Sequence, residues 1–287
     1  PTVDVVNLLA HYSKESSYPV WQAMTSVTGA LRLLINDDPA IKPHLQRYIA
    51  SLAQPQFARL GWERIPGESY FDELLRPTVI GLLAYAEVPA TVDKALSLFE
   101  AADKPEDIIM PELRGIVYSV AVREQGQKAF DKLLQWYKTT QSADERITLV
   151  AGLSALRDPK LGDQAITYFR SEFVKPQDVT YWFIYFLRNR HSRHAAWQWM
   201  VNNWDWISEQ FKNSHDYPDF PKYSSGALST EQELHDYKQF FEPKLQEQDI
   251  AMVIRQGIEE IEIRVAWRKR DLDAITTFLQ NHKQSAA

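Results

Sequence analysis

Apolar residues recur at every third or fourth position along most of this chain. Between residues 249 and 267, one helical face carries a run of aliphatic side chains: Ile250, Ile254, Ile258, Ile261 and Val265. Arg255, Glu259 and Glu262 fall on the opposite face. Such a period is typical of amphipathic helices, and no segment alternates convincingly with the period of two that is typical of strands. The pattern therefore predicts an all-α fold.

Boundary signals divide this pattern into a series of predicted helices. Aspartate precedes proline at residues 38–39 and 158–159, where a carboxylate can cap a helix whose first position tolerates proline. Capping boxes are predicted from Ser142 to Glu145 and from Ser229 to Gln232. The predicted helices span residues 17–35, 39–53, 69–86, 90–101, 111–123, 126–138, 143–156, 159–171, 177–189, 193–212, 230–242, 249–267 and 271–281.

Short connections between these helices favour antiparallel neighbours that pack side by side. A faint repeat supports this arrangement, because the Leu75-Arg76 pair recurs as Leu113-Arg114, 38 residues later. Solenoids of the HEAT and armadillo type repeat at about 40 residues. We therefore predict an α-solenoid of HEAT/armadillo-like antiparallel helix pairs. The aromatic and proline-rich segment at residues 213–228 is predicted to be a long loop.

Composition narrows the functional classes. Lys and Arg total 32 against 38 Asp and Glu, a net charge of −6, which argues against binding to nucleic-acid phosphates as the main role. Cysteine is absent, which excludes disulfides and thiolate metal sites and favours a cytoplasmic location. No apolar run approaches the roughly 20 residues that a membrane span needs. We therefore expect neither a nucleic-acid nor a membrane partner.

The sequence lacks the common catalytic motifs, including HExxH, the Walker loop, GxGxxG, GxSxG and the EF-hand loop. Two histidines stand three residues apart within a basic cluster: Arg188, Arg190, His191, Arg193 and His194. Zinc needs three or four ligands, and no further ligand stands at a helpful spacing. We interpret the cluster as a solvated turn between helices. The alternative is a site for an anionic group such as a peptide carboxylate or a phosphate.

Tryptophan is concentrated between residues 197 and 211. Trp197 and Trp204 share one side of a helix, while Trp199 and Trp206 share another. We interpret this pattern as a helix sandwiched between neighbours. The alternative is a helical toroid that cleaves carbohydrate, which would need two opposed carboxylates in a tryptophan-lined cleft.

An ordered set of short motifs covers nearly the whole chain. The motifs are Leu60-Gly61-Trp62, Gly67-Glu68-Ser69, Leu74-Leu75-Arg76, Pro111-Glu112-Leu113-Arg114, Ala196-Trp197, Asn203-Trp204, Phe240-Phe241 and Gly257-Ile258-Glu259-Glu260-Ile261. Together they resemble the C-terminal helical domain of zinc aminopeptidases of the aminopeptidase N family. Glu242-Pro243-Lys244, after the paired phenylalanines, resembles the bacterial members. The resemblance implies that residues 1–287 form a single domain.

The resemblance implies that this chain is a bowl-shaped solenoid, which in that family closes over the catalytic domain of the same polypeptide. The bowl encloses a chamber for peptide substrates and limits their length. The zinc-binding HExxH helix and the GxMEN segment belong to an upstream catalytic domain, and both motifs are absent here. We therefore expect no catalytic residue, no zinc site and no peptidase activity in this chain alone, and zinc in the catalytic domain.

The resemblance directs attention to four candidate substrate-binding residues: Lys222, Tyr223, Arg255 and Gln256. A cation at such positions can hold a peptide carboxylate or its backbone carbonyls. The competing interpretation is that Arg255 pairs with Glu259 one turn away on a solvent-exposed surface and binds no substrate. Arg76 and Arg114 are predicted to be structural, packed between helices with acidic partners.

A different class of function stays open at this point. The chain is then a free-standing HEAT-like scaffold that binds another protein. That hypothesis predicts an initiator methionine just before Pro1 and an exposed interface patch.

Overall fold

The computed structural model describes residues 1–35 and 38–282. Every regular element within those ranges is helical, which confirms the all-α prediction. The α-helices, in chain order, are α1 (Thr2–Ala10), α2 (Tyr18–Ile35), α3 (Lys42–Leu60), α4 (Tyr70–Tyr85), α5 (Pro89–Ala101), α6 (Pro111–Gln125), α7 (Gln127–Thr139), α8 (Ala143–Leu153), α9 (Pro159–Ile166), α10 (Pro176–Arg188), α11 (Arg193–Asn202), α12 (Trp204–Phe211), α13 (Asp219–Gly226), α14 (Glu231–Phe241) and α15 (Gln248–Asn281). The HEAT-like bowl stays a prediction.

Side-chain caps fix two helix starts as predicted. The Ser142 hydroxyl accepts a hydrogen bond from the backbone N–H of Glu145 at the start of α8. The Asp158 carboxylate accepts one from the backbone N–H of Lys160 at the start of α9. Each cap satisfies a helix-terminal N–H that has no partner within the helix.

Two other predicted caps are wrong in position. Thr230, not Ser229, caps α14, and Glu233 completes its capping box. Asp38 accepts hydrogen bonds from the backbone of two residues that follow it in a turn, and α3 begins only at Lys42. Proline therefore occupies a turn here rather than the first position of the helix.

Several predicted boundaries need correction. The predicted helix 193–212 is divided into α11 and α12 at Asn203, whose side-chain amide donates to the carbonyl of Trp199 at 2.8 Å. The predicted helices 249–267 and 271–281 are one continuous helix, α15. The charged residues at positions 268–270 do not interrupt the helix, because charged residues with long side chains are good helix formers. Helix α1 was not predicted.

The predicted loop at residues 213–228 is also wrong, because α13 occupies much of it. Phe220 and Pro221 are buried on one side of this helix, as are Ser224 and Ser225 one turn later. This spacing of three and four is helical, and proline is tolerated in a first turn. The aromatic and proline content concealed the period.

The chain divides into two compact units. The first comprises residues 1–97 together with the chain from Trp267 onward, and the second comprises residues 98–266. The unit boundaries fall within α5 and α15. The prediction of one domain over residues 1–287 stays a prediction.

The core of the first unit joins the early helices to the end of α15. Ile275 and Leu279 of α15 belong to the same buried cluster as Trp21 of α2 and Leu45 of α3. A polar contact also joins α1 to α15, because the Thr2 hydroxyl accepts a hydrogen bond from the Trp267 indole at 2.7 Å. Residues far apart in sequence therefore build one core.

In the second unit, ion pairs connect alternate helices of the chain. Arg114 of α6 donates to Glu145 of α8 at 2.8 Å. The next residue on α8, Arg146, donates to Asp178 of α10 at 2.9 Å. Each carboxylate also accepts a tyrosine hydroxyl, so that its lone pairs are satisfied away from water. The second unit carries all four candidate binding residues.

Candidate functional site

Helix α13 carries the first two predicted binding residues. Lys222 is exposed and Tyr223 is partly exposed, whereas Pro221 and Ser224 face the interior. The helix period explains this, because residues 221 and 224 share one side and residue 222 lies away from it. Lys222 and Tyr223 therefore stand at the surface of a packed helix.

The ring of Tyr223 lies against two cations. The guanidinium carbon of Arg188 is 5.4 Å from the ring centroid, and Nζ of Lys222 is 5.2 Å from it. Both side chains are exposed, and within residues 1–35 and 38–282 neither forms an ion pair. The negative face of an aromatic ring attracts cations at such distances. Sequence analysis placed Arg188 in a different candidate cluster, and only the fold brings it to Tyr223.

Hydrogen bonds hold the backbone of α13 in place. The Ser225 hydroxyl donates to the carbonyl of Lys222 at 2.8 Å. The Tyr237 hydroxyl of α14 donates to the carbonyl of Pro221 at 3.1 Å. Burial raises the pKa of Tyr237, so its hydroxyl stays protonated and remains a donor at neutral pH. The candidate residues therefore stand on a fixed backbone.

Gly257 lets α15 pack closely against this helix. A Cβ atom at position 257 would overlap the Tyr237 hydroxyl and would lie 2.9 Å from Cβ of Ser225. Only glycine leaves room for this approach, since carbon atoms do not pack so closely. The crossing fixes α15 beside α13 and α14.

Arg255 and Gln256 precede this glycine on α15, and both are exposed. The predicted ion pair between Arg255 and Glu259 does not form among the residues that the structure describes. Met252 and Ile263 are also exposed, each at 65%, on the same stripe of the helix. Glu259 is exposed on the same stripe, which therefore combines three polar residues with large apolar side chains at the surface, an arrangement suited to binding another molecule.

The structure brings together some of the predicted residues and not others. Lys222 and Tyr223 are in contact with each other, and Arg255 and Gln256 are adjacent on α15. No hydrogen bond, ion pair or ring contact joins these two pairs within the described ranges. The two helices that carry them meet at the Gly257 crossing, and Arg264 of α15 also donates a hydrogen bond to the carbonyl of Ser225 on α13.

Three residues of the basic cluster lie at one wall of an open cavity of about 240 Å³. The cavity is lined by Arg190, Arg193, His194, Trp197, Leu228, Glu233 and Asp236. Arg193 pairs with Glu233 at 3.4 Å, so acidic side chains offset much of the local positive charge. The cluster is thus partly a cavity wall rather than only a solvated turn.

The tryptophans of α11 and α12 are mainly core residues. Trp197, Trp199 and Trp204 are each less than 10% exposed. Trp204 packs edge-on against Phe240 and Phe241, with ring centroids 5.4 Å apart. This burial supports the sandwiched arrangement, since a sugar-binding platform needs exposed ring faces.

The two arginines predicted to be structural have acidic partners. Arg76 is fully buried and donates to both carboxylate oxygens of Glu68. These bonds hold the pKa of Glu68 below its usual range. Arg114 is mostly buried and donates to Glu145. Both predictions are confirmed.

Neither a metal site nor a membrane-spanning helix is found within residues 1–35 and 38–282. No group of three or more His, Asp or Glu side chains there is arranged to hold a metal ion. No helix in those ranges has both the length and the apolar character needed to cross a membrane.

Comparison with known proteins identifies aminopeptidases as relatives of this chain. Aminopeptidase N of Lactococcus lactis subsp. lactis (strain IL1403) is 31% identical over 275 residues, covering 94% of this chain and 32% of the relative. Aminopeptidase N of Lactobacillus helveticus is 26% identical over 94% of this chain and 32% of its own length. Glutamyl aminopeptidase of Bitis rhinoceros is 26% identical over 98% of this chain and 30% of its own length.

The chain spans about a third of the length of these curated relatives. The ERAP1-like C-terminal domain family matches residues 1–263, which include α1 to α14 and much of α15. The matched range includes all four candidate residues. This chain therefore belongs to the ERAP1-like C-terminal domain family.

Proposed function

We propose that this chain is the non-catalytic C-terminal part of a cytoplasmic zinc aminopeptidase, which releases N-terminal amino acids from peptides. Its family and the names of its relatives support this proposal. In this role the chain encloses a chamber for peptides and helps to select their length. Its partners are the catalytic domain of the same polypeptide and the peptide substrates.

Zinc does not fit the residues of this chain that the structure describes. The histidine pair His191 and His194 lacks a third ligand among the described residues, and no other group of suitable donors is present there. We therefore assign no part of the metal chemistry to this chain. The proposed zinc site belongs to the catalytic domain.

The exposed stripe of α15 is the observation that carries the proposal. Arg255 has no carboxylate partner among the residues described, so its guanidinium is free to donate to backbone carbonyls of a peptide. Gln256 offers both a donor and an acceptor beside it. Met252 and Ile263 supply apolar contact area for peptide side chains. None of these contacts requires a particular peptide sequence.

Contacts of this kind affect long peptides more than short ones. A peptide reaches the stripe only if enough residues extend beyond the bond that is cut. Each added contact then contributes binding free energy that a shorter peptide lacks. Length selection follows from reach rather than from recognition of one side chain.

Substitution of Arg255 tests this role in the full polypeptide that carries the chain. We expect Arg255→Ala to raise KM about fivefold for peptides of about ten residues, because one hydrogen bond from a charged donor is lost. KM for a single aminoacyl chromogenic substrate should not change, since it cannot reach α15. Steady-state kinetics on a series of peptide lengths measures both.

Lys128→Ala provides the matched control, because Lys128 is an exposed cation of α7 outside the stripe. This variant should leave KM unchanged at every length. Equal effects of Arg255→Ala on short and long substrates, or no effect on either, would contradict the proposed function.

A further inference from the structure

Arg188 and Lys222 form a surface site that differs from several buried cationic positions of the second unit. Arg114, Arg146 and Arg193 each pair with a carboxylate of a neighbouring helix. Arg188 and Lys222 converge on one tyrosine ring, and within the described ranges no carboxylate pairs with either. Two cations thus lie against one ring without a carboxylate partner among the described residues.

The turn that carries Arg188 is fixed by hydrogen bonds. The side-chain amide of Asn189 donates to the carbonyls of Ser154 and Leu156, at 2.6 and 2.7 Å. The buried hydroxyl of Ser192 donates to the carbonyl of Phe186 at 2.7 Å. These bonds hold the end of α10 against the preceding helices. The backbone at Arg188 is therefore held in position before any ligand binds.

Lys222 is equally well placed, because its own carbonyl accepts the Ser225 hydroxyl and α13 is locked at the Gly257 crossing. Attraction to the Tyr223 ring restricts both cationic side chains. A ligand that binds here has less conformational entropy to remove than at a mobile surface lysine.

Asp219 is an acidic residue that interacts electrostatically with this site. Burial raises the pKa of Asp219, while the positive charge of Lys222 acts in the opposite direction. The Asp219 carboxylate forms no ion pair with Lys222 among the described residues. It therefore reduces the local positive charge but leaves the Lys222 ammonium able to bind a ligand. The site still has an excess of positive charge and favours an anionic group.

We propose that Arg188, Lys222 and Tyr223 form a subsite for the side-chain carboxylate of an aspartate or glutamate within a bound peptide. This inference rests on the proposed function, in which the chain contacts peptides. The guanidinium donates hydrogen bonds to the carboxylate, and the ammonium adds a second positive charge. The tyrosine ring packs against the aliphatic part of the acidic side chain.

A pair of peptides isolates the side-chain carboxylate. Both have about ten residues, an acetylated N-terminus and an amidated C-terminus, and they differ only in one glutamate or glutamine. Titration calorimetry measures their binding to the 287-residue chain at about 50 mM salt, where screening is modest. We expect the glutamate peptide to bind about fivefold more tightly.

Charge-removing variants locate the effect. Arg188→Gln and Lys222→Gln should each reduce the preference for glutamate to less than about twofold. Lys212→Gln is the matched control, because Lys212 is an exposed lysine of the same unit that already pairs with Glu247 at 3.7 Å. It removes the same charge and should preserve the preference. Circular dichroism of each variant verifies the helical fold.

Equal affinity for the two peptides, or no measurable binding of the glutamate peptide, would overturn this inference. A weakening of both peptides to the same extent by Arg188→Gln would also overturn it, while leaving the proposed contact with peptides intact. The proposed function fails separately if Arg255→Ala leaves KM unchanged at every peptide length. The two experiments therefore distinguish the two failures.

Discussion

Gly257 shows how one residue determines the distance between helices. Its missing side chain lets α15 approach the Tyr237 hydroxyl and Cβ of Ser225. Both neighbours are buried, and Tyr237 is held by its own hydrogen bond to Pro221, so neither can move aside freely. The candidate surface on α13 and α15 depends on this contact.

Gly257→Ala is therefore expected to destabilise the protein by about 2 kcal/mol, because the added methyl group overpacks the crossing. Urea denaturation followed by circular dichroism measures the change. Gly29→Ala is the control: a methyl group at Gly29, inside α2, would meet no other side chain within 4 Å, and alanine is the better helix former. That variant should gain about 0.5–1 kcal/mol. An equal response of both variants would contradict the packing argument.

At the level of secondary-structure elements, α8 forms buried ion pairs with two neighbouring helices. Glu145 points to Arg114 of α6, and the adjacent Arg146 points to Asp178 of α10. Neighbouring residues on a helix point about 100° apart, so a single helix can pair with both neighbours at once. All four side chains are largely buried. The pairs fix which helix lies beside which.

Removal of one partner should be costly in this setting. Glu145→Ala leaves Arg114 and the Tyr118 hydroxyl without their buried acceptor, and we expect a loss of about 3 kcal/mol in the free energy of unfolding. The double variant Arg114→Met/Glu145→Met should lose less, since no buried charge is left without a partner. Urea unfolding of both variants provides the comparison. A double variant less stable than Glu145→Ala would contradict this account.

Sequence patterns predicted most helices because most carry a clear apolar period or a polar cap. The Ser142 and Asp158 caps act locally, within three residues, so they can be read without a structure. The division at Asn203 depends instead on its side-chain hydrogen bond to the carbonyl of Trp199, which the apolar period does not show. The continuity of α15 depends on the helix propensity of charged residues with long side chains. The short helix α13 has buried residues of mixed character, which masked its period.

The candidate site was only partly accessible to the same reasoning. Lys222, Tyr223, Arg255 and Gln256 came from a family resemblance and not from spacing, and their roles stay predictions. The contact between Arg188 and Tyr223 joins residues 35 positions apart in sequence, and no periodic pattern could show it. The need for glycine at position 257 could not be predicted from the sequence either, because the atoms that a Cβ would overlap lie on two other helices.

At the scale of the whole molecule, Asp271 is a polar link in the first unit. Its carboxylate accepts hydrogen bonds from the backbone and the hydroxyl of Thr2 on α1, and from Arg270 beside it. The Thr2 hydroxyl in turn accepts from Trp267. Helix α1 is thereby attached to the last helix of the same unit.

These contacts make the first unit sensitive to acid. The bond from Arg270, then those from Thr2, hold the pKa of Asp271 well below the usual value of about 3.9. The unfolded chain therefore binds this proton first, so the stabilisation is complete above about pH 5 and is lost as the pH falls further. Asp271→Asn should show a smaller decrease in melting temperature between about pH 5 and pH 2 than the unmodified chain.

Calorimetric melting at a series of pH values provides the measurement. Asp273→Asn is the control, because Asp273 lies two residues away on the same helix and is exposed. It should retain the full pH dependence of the unmodified chain. Identical profiles for Asp271→Asn and the unmodified chain would show that this carboxylate does not link folding to protons.

The first unit is assembled from two distant stretches of the chain, and this has a consequence for biosynthesis. Ile275 and Leu279 complete a core that Trp21 and Leu45 begin, so a ribosome must translate more than 200 intervening codons before that core can close. Residues 98–266 are contiguous and can fold while translation continues. Until the end of α15 has been synthesised, the nascent α2, α3 and α4 expose the apolar faces that Ile275 and Leu279 later cover. A chaperone would be most useful during this interval.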